Sequence, residues 1–354
     1  MPHAYYCGKE CHMRILVGMS GGLDSTYAAL KLINEGYDVE GAVVIMHGYT
    51  ELDGARSAAA SLGIPLHEID ATERFSLVTE NFVSEYSRGR TPNPCIVCNP
   101  WVKFRALADF ARKNGFDRIA TGHYAAVVKR DDNGKERYAL RLARDPRKDQ
   151  TYMLYRLPED ILSILVLPLA DEIKDEVREK AKEAGLKAAE QKESQEICFI
   201  PDGDYASYIE EVKGPFPEGN FVLSDGTAVG RHKGLIRYTV GQRKGLGVAY
   251  GERIFVDRID AEKNEIVLST VNTASDTVTV SDIVYSGISE PEAGTSITAE
   301  VKLRYLASPV KTTVRFIGDG RAELRLDTPA KAITPGQSAV IYDDGTVLCG
   351  GFID

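Results

Sequence analysis

The sequence predicts an α/β fold with a doubly wound parallel sheet, followed by a small central domain and a C-terminal β-barrel. Three observations support this prediction. Apolar runs alternate with helical segments in the first half of the chain, as in repeated strand–helix units. From about residue 205 the strands become short, and Gly, Asp and Thr become frequent. Residues 276–354 then contain several alternating runs, which are typical of a small barrel or sandwich.

Each strand–helix unit of the first half has its own signal. The run RILVGM is continuously apolar, as expected of a buried parallel strand. In the helix that follows, Leu23, Tyr27 and Leu30 keep helical spacing until Gly36 ends the pattern. Further strands are predicted at residues 38–46, 64–70 and 117–123, and helices at about 52–62, 73–86 and 101–115.

Three more segments follow residue 124. Residues 125–144 predict a hairpin with Asn133-Gly134 as its turn. Residues 171–185 predict a helix with opposite charges at i,i+4 spacing, which is typical of a solvated face and carries no functional signal. Residues 196–204 predict a short strand that runs into a turn.

The composition is that of an ordinary globular protein, with 43% hydrophobic and 27% charged residues. No apolar run reaches the roughly 18 residues of a membrane span. The N-terminus lacks the apolar core of a signal peptide. We therefore expect a cytoplasmic protein with no membrane partner. Because the net charge is −9, any RNA site must be a local basic surface.

Six cysteines are too few for a disulfide scaffold in a chain of 354 residues. In a reducing compartment, metal binding, catalysis or burial are the expected roles. Cys349 lies in an apolar strand-like end and is expected in the core. Cys7 and Cys11 fall in a predicted extension, residues 1–12, which is expected to be unstructured. The alternative for the extension is a metal site made of Cys7, Cys11 and His12 or His3.

The segment VGMSGGLDST, residues 17–26, carries the strongest chemical signal. Its glycines let the backbone approach a ligand closely, and it opens a helix whose first N–H groups carry partial positive charge. Such a nest binds phosphate or pyrophosphate. Asp24 indicates a bound cation, Mg²⁺, because a bare carboxylate would repel phosphates. The alternative is a turn in which Asp24 and Ser25 only cap the helix.

SGGLDS resembles the pyrophosphatase loop of enzymes that cleave ATP and place AMP on a carbonyl oxygen. With GRTPNPCIVCN, TGHY, KDQTYMLY, EICFI, YTVGQRKGLG and TPGQSAVIY in order, the chain is similar to tRNA-uridine 2-sulfurtransferases from about residue 13 to its end. The resemblance implies an adenine-nucleotide alpha-hydrolase-like fold and ATP-dependent 2-thiolation of the wobble uridine. It also implies domains at 13–203 (ATP pyrophosphatase), 204–275 (central, tRNA-contacting) and 276–354 (β-barrel).

The resemblance also assigns site residues. Asp24, Cys98 and Cys198 would be catalytic, with a persulfide on Cys198 and a transient Cys98–Cys198 disulfide. ATP would contact Gly18, Met19, Ser20, Gly21, Gly22, Leu23, Asp24, Ser25 and Gly122. A residue at the end of the second strand would hold the adenosine: Val44 if the chain aligns with the family without a gap, or Met46 if this chain has two inserted residues. The target base would lie among Asn93, Pro94 and Cys95. Further tRNA contacts would come from His123, Lys148, Asp149, Gln150, Arg304, Tyr305 and Gln337.

Cys95 departs from the family pattern, in which most members carry Asp. A thiol does not replace a carboxylate as a base at neutral pH. Thiolates at Cys95, Cys98 and Cys198 would suit a [4Fe–4S] cluster with one iron open to sulfide. The alternative keeps persulfide chemistry on Cys98 and Cys198. A zinc site is the weaker expectation, because zinc supplies no redox chemistry.

We expect the pKa of Cys98 to be lowered. It precedes the predicted helix that begins at Trp101, and Lys103 and Arg105 are near in sequence.

Two basic stretches are candidate RNA surfaces. Residues 226–251 contain no Asp or Glu, and residues 141–150 are the second stretch. Arg88 and Arg90 lie just before the loop that carries Cys95 and Cys98. The cations of the first stretch are Arg231, His232, Lys233, Arg237, Arg243 and Lys244.

Other functions remain to be separated from 2-thiolation. The same loop serves amidotransferases and carboxylate–amine ligases, but no glutaminase segment is apparent. A tRNA thiolase that forms 4-thiouridine or 2-thiocytidine is a further alternative. Intact Ser20, Asp24 and Ser25 disfavour a binding protein without turnover. The expected partners are tRNA and a sulfur donor, either a persulfide carrier or sulfide, and the expected state is a monomer or dimer.

Overall fold

A computed structural model describes residues 13–190 and 197–354. The predictions on Cys7, Cys11 and the neighbouring histidines lie outside the described residues. The strands are β1 (Arg14–Gly18), β2 (Asp38–Ile45), β3 (Leu66–Asp70), β4 (Arg118–Thr121), β5 (Ala126–Asp132), β6 (Lys135–Arg141), β7 (Leu165–Val166), β8 (Gly219–Leu223), β9 (Ala228–His232), β10 (Phe255–Asp260), β11 (Glu265–Ser269), β12 (Ala274–Tyr285), β13 (Ser296–Lys302), β14 (Val310–Gly318), β15 (Arg321–Lys331), β16 (Ser338–Asp343) and β17 (Thr346–Ile353).

The helices connect these strands. They are α1 (Leu23–Asn34), α2 (Leu52–Leu62), α3 (Thr72–Ser87), α4 (Pro94–Cys98), a π-helical segment (Asn99–Lys103), α5 (Phe104–Lys113), α6 (Thr151–Leu154), α7 (Glu159–Leu162), α8 (Lys174–Glu183) and α9 (Tyr205–Lys213), with single 3₁₀ turns at Lys187–Glu190 and Leu235–Arg237. None of these described helices is both long and apolar enough to cross a membrane.

The first half forms a parallel sheet in the order β3-β2-β1-β4-β7. Leu16 faces a core that includes Phe104 of α5, whereas Ile15 and Val17 face a second core with Leu32 of α1. Both faces of β1 are therefore covered, which explains its continuous apolar run. The predicted doubly wound α/β fold is confirmed.

The C-terminal strands close into a six-stranded antiparallel barrel in the order β12-β15-β14-β13-β16-β17, and β12 pairs with β17. The predicted hairpin is also confirmed: Asn133 and Gly134 have φ of 55° and 86°, as a tight two-residue turn requires. Its strands extend the barrel sheet, because Arg141 of β6 pairs with Thr346 of β17. The first and last domains thus share a sheet.

A small sheet in the order β10-β11-β8-β9 forms the centre of the middle region, around Phe221 and Ile266. The sequence pattern missed α9, which precedes this sheet. The domain boundaries given above stay predictions.

Two local predictions were wrong. Residues 197–204 form turns rather than a strand. The helix expected from Trp101 begins earlier, at Pro94, so that Cys95 and Cys98 lie inside a helix. Asn93 caps this helix by accepting a hydrogen bond from the backbone N–H of Cys95 at 3.1 Å.

Candidate active site

The glycine loop joins β1 to α1 and leaves the start of α1 without a side-chain cap. Gly22 is the N-cap residue and makes no side-chain bond. Ser25 turns back instead: its hydroxyl donates to the Gly22 carbonyl at 3.1 Å and accepts from the Ser20 N–H at 3.2 Å. The alternative in which Asp24 and Ser25 only cap the helix is therefore wrong. The first N–H groups of α1 are available to an anion.

Two glycines permit backbone contacts that a side chain would block. Gly21 has φ of 79°, and a Cβ there would lie 2.6 Å from the Ala55 nitrogen at the start of α2. A Cβ on Gly122, just after β4, would lie 2.5 Å from the carbonyl carbon of Asp24. The loop is thus held between α2 and the end of β4.

Asp24 lies in the first turn of α1 and is paired with Lys174. The Lys174 ammonium is 2.6 and 2.7 Å from the two carboxylate oxygens, and the Tyr124 hydroxyl donates to one of them at 2.9 Å. Lys174 is only 4% exposed. The helix expected at 171–185 is therefore not a wholly solvated face, because Lys174 is buried against the glycine loop.

The burial of Lys174 could have been predicted from the spacing of the apolar residues in its helix. Lys174 lies three and seven residues before Val177 and Ala181, which are buried. The three residues therefore share one face. The carboxylate of Asp145 accepts the Lys174 backbone N–H at 3.1 Å and fixes the start of α8.

Cys98 lies where α4 (Pro94–Cys98), the cysteine helix, meets the end of β2. Its thiol is 3.6 Å from the sulfur of Met46, the residue after β2, and it is 7% exposed. Val44 lies within β2 and packs in the core. Val44 and Met46 are the two positions considered for the adenosine contact. Of these, Met46 lies at the carboxyl end of β2.

The pKa of Cys98 is raised to about 12, chiefly by burial, and the expected lowering was wrong. The helix begins at Pro94 rather than near Trp101, so its N-terminus does not act on this thiol. Arg105 is engaged with Asp160 at 2.8 Å. Lys103 does lower the pKa of Cys98, but less than burial raises it.

The three predicted cysteines lie within electrostatic range of one another. Charge on Cys95 and on Cys198 raises the pKa of Cys98, and charge on Cys95 raises that of Cys198. Burial is the larger cause for each, although Cys95 and Cys198 both reach solvent. Within residues 13–190 and 197–354, no three His, Cys, Asp or Glu side chains are already arranged to hold a metal ion.

His123 lies between the end of β4 and the start of α5. It follows Gly122, its Nδ1 lies 2.8 Å from the Thr121 hydroxyl, and its ring packs on Phe104 with centroids 5.4 Å apart. Burial lowers the pKa of His123 to about 3, with a smaller contribution from Lys103. The ring is therefore neutral at physiological pH.

Several residues expected at the tRNA interface are held within the protein. Asp149 is 5% exposed and accepts from the Ala143 N–H at 3.1 Å and the Thr151 hydroxyl at 2.7 Å. Gln150 accepts the Tyr124 N–H at 2.9 Å. Gln337 donates to the Thr91 carbonyl at 2.7 Å, next to the cysteine helix. These side chains position the loops around the site.

The other residues of the expected interface differ in their surroundings. Arg304 donates to the carbonyls of Lys331 and Ala332. The Tyr305 ring lies 6.2 Å from that of Tyr152. Lys148 also has a partner.

Fewer cations of the basic stretch 226–251 are available to RNA than its composition indicates. His232 is fully buried, and its ring lies 3.1 Å from the Asn264 carbonyl. Arg237 pairs with Glu210 at 2.6 Å. The exposed cations that remain without an ion pair in the described chain are Lys233, Arg243 and Lys244. Near the cysteine helix, Arg90 pairs with Glu85 at 2.7 Å and Arg88 lies 3.8 Å from the same side chain.

Comparisons with known proteins match most of the described chain. It matches the tRNA methyl transferase HUP domain family over residues 13–202, the tRNA methyl transferase PRC-barrel domain over 207–270 and the aminomethyltransferase beta-barrel domain over 275–353. A tRNA-specific 2-thiouridylase of Acetivibrio thermocellus is 42% identical over 96% of this chain and 99% of the relative. One of Clostridium acetobutylicum is 40% identical over the same shares.

Solved structures are more distant. A 4-thiouridine synthetase–RNA complex with bound ATP is 17% identical with a TM-score of 0.35 and covers 56% of this chain and 50% of that one.

Proposed function

The chain belongs to the family of the tRNA-specific 2-thiouridylases, and we propose from this premise that it replaces the C2 oxygen of the wobble uridine of tRNA by sulfur in the cytoplasm. ATP activates the oxygen, and a thiol-bound sulfur displaces it. The observation that carries the proposal is that the glycine loop and the cysteine helix both lie at the carboxyl ends of the parallel strands. Gly122 approaches the backbone of Asp24, and Met46 contacts Cys98.

ATP would bind at the uncapped start of α1. The free N–H groups of that helix and the hydroxyl of Ser20 are donors for its phosphates. Asp24 would hold Mg²⁺ together with phosphate oxygens. One carboxylate is enough, because this ion keeps waters and substrate phosphates as most of its ligands. Mg²⁺ would supply neutralisation of the pyrophosphate charge.

Lys174 supports the same step. In the nucleotide-free protein its ammonium balances Asp24, so that the carboxylate does not repel an approaching triphosphate. The C2 oxygen attacks the α-phosphate, a P–O bond forms, and pyrophosphate leaves with the electron pair of the broken bond. The uridine reaches the site by leaving its stack in the anticodon loop.

Sulfur transfer has two possible routes. In the first, the terminal sulfur of a Cys198 persulfide attacks C2, the C2–O bond breaks, and AMP leaves with the electron pair. The Cys98 thiolate then attacks the Cys198 sulfur. This releases 2-thiouridine and leaves a Cys98–Cys198 disulfide, which a dithiol reductant returns to two thiols.

In the second route Cys95, Cys98 and Cys198 would hold a [4Fe–4S] cluster with one open iron. The cluster would supply sulfide from a sulfide donor. Three thiols from two segments within electrostatic range are the donor set that such a cluster needs. Cys95 then has a role that it lacks in the persulfide route.

The tRNA would approach along exposed cations of the central region. Lys233, Arg243 and Lys244 supply phosphate contacts. Asn93 and Pro94 at the start of the cysteine helix, with neutral His123, would line the target base. Arg304, Tyr305 and Lys148 would contact neighbouring nucleotides. Asp149, Gln150 and Gln337 position the surrounding loops, which would complete the interface. The protein would act as a monomer or a dimer.

The test is nucleoside mass spectrometry of unmodified tRNA after incubation with the protein, ATP and either a persulfide donor or sulfide. We expect 2-thiouridine at the wobble position, and none with Asp24→Asn or Cys198→Ser. Leu77→Ala, at an exposed position of α3, is the control and should retain full activity. Formation of 4-thiouridine or 2-thiocytidine instead, or ATP cleavage that depends on ammonia and a carboxylate, would contradict the proposal.

A further inference from the structure

A π-helical turn aligns Lys103 with the cysteines. Pro100 has no N–H, so the carbonyl of Ile96 loses its usual helical donor. The chain widens here, and the N–H of Phe104 bonds to Asn99, five residues earlier. Such π turns are frequent at functional sites. Five residues also separate Cys98 from Lys103, so the π turn places Lys103 one turn after Cys98 on the same side of the helix.

The ammonium of Lys103 acts on the thiols. Burial is the larger cause and raises the pKa of Cys95, Cys98 and Cys198, and the charge of Lys103 opposes it. This agrees with the position of Lys103 one π turn after Cys98.

Lys103 also differs from the other cations of its helix. It is half-buried, and no ion pair of Lys103 exists within the described residues. Arg105 and Arg112, by contrast, both pair with Asp160, at 2.8 and 3.0 Å. A half-buried cation that follows Cys98 by one π turn and has no carboxylate partner among the described residues is placed for an anion that arrives during turnover.

We propose that Lys103 is a positioning residue for sulfur transfer, whose ammonium holds the anionic sulfur nucleophile over the uracil C2 atom. The inference rests on the proposed function but is independent of the route. In both routes an anionic sulfur forms a bond to C2, the C2–O bond breaks, and AMP departs with the electron pair. A fixed cation keeps the nucleophile anionic and aimed while protein groups replace its water.

The experiment separates the two half-reactions in a single turnover of the full-length chain with unmodified tRNA, ATP and the sulfur donor. Pyrophosphate release reports adenylation, and 2-thiouridine reports sulfur transfer. For Lys103→Gln we expect pyrophosphate release within about twofold of wild type. We expect 2-thiouridine formation to fall about 100-fold. Lys103→Arg, which keeps the charge, should recover most of the loss.

Lys113→Gln is the matched control, because Lys113 is an exposed lysine in the last turn of the same helix. It should leave both half-reactions unchanged. Lys103→Met serves if glutamine disturbs the fold, as judged by thermal melting. Wild-type thiolation in a folded Lys103→Gln or Met variant, or parallel loss of both half-reactions, would overturn the inference. If the wild-type chain forms no 2-thiouridine, the proposed function itself fails.

Discussion

Gly122 offers the sharpest steric test of the nucleotide site. In Gly122→Ala the new methyl carbon would lie 2.5 Å from the Asp24 carbonyl carbon and 2.6 Å from both the Asp24 oxygen and the Ser25 nitrogen. Ordinary contacts between such atoms are about 3.5 Å or more, so about 1 Å must be gained. All three atoms are backbone, and no side-chain rotation relieves them. The first turn of α1 must move away from β4.

We expect this displacement to lower stability by about 1–3 kcal/mol, as overpacking does. The rate should suffer more, because a misplacement of about 1 Å can cost about 100-fold when it moves the group that binds the reacting atoms. The assays are thermal unfolding and tRNA-dependent pyrophosphate release.

Two glycines are matched controls for Gly122. A methyl group added to Gly48 would meet no atom within 4 Å, and at Gly22 the nearest atom is the Ser20 hydroxyl at an ordinary 3.5 Å. Alanine at Gly48 should leave both stability and adenylation intact. Alanine at Gly22 meets no clash and should lower stability by about 1 kcal/mol or less, because alanine is a poorer N-cap than glycine. If Gly122→Ala behaves like Gly48→Ala in both assays, the close approach of β4 to the loop is not required.

Three further predictions concern charge and sulfur. Lys174→Gln should reduce pyrophosphate release at least about tenfold, because it leaves the Asp24 carboxylate without its counter-charge. Lys182→Gln, at an exposed position of the same helix, should not reduce it. Equal effects of the two substitutions would contradict the role assigned to Lys174. Cys95→Ser should remove iron, about four atoms per chain, and activity from anaerobically purified protein if the cluster is used; retained activity in colourless protein would establish the persulfide route. Because burial raises the pKa of Cys98 to about 12, its thiolate is scarce at neutral pH, and its alkylation should accelerate steadily from pH 7 to 10, with buried Cys349 unreactive as the control. A rate that levels off near pH 8 would contradict that raised pKa.

Local patterns predicted much of the fold. The apolar run of β1, the helical spacing of α1 and the Asn133-Gly134 turn depend on neighbours in sequence. Pairings across long distances did not follow from them. Nothing local indicates that Arg141 pairs with Thr346. The start of the cysteine helix had a signal in Asn93-Pro94, but a proline such as Pro100 ordinarily interrupts a helix, and here the π turn absorbs it.

The site was predicted in part for the same reason. The glycine loop is a local motif, and its geometry follows from local constraints. The role of Lys174 depends on Asp24, 150 residues away, and its charge pattern matches that of a solvated helix. The pKa of Cys98 depends on burial, which sequence spacing does not reveal.

The fate of the uracil oxygen tests the central claim most directly. tRNA would be prepared with a heavy-oxygen label at C2 of the wobble uridine, and AMP from a single turnover would be analysed by mass spectrometry. The account predicts that the label appears in the phosphate of AMP, with one labelled AMP for each 2-thiouridine formed. A label recovered in water, with unlabelled AMP, would contradict it.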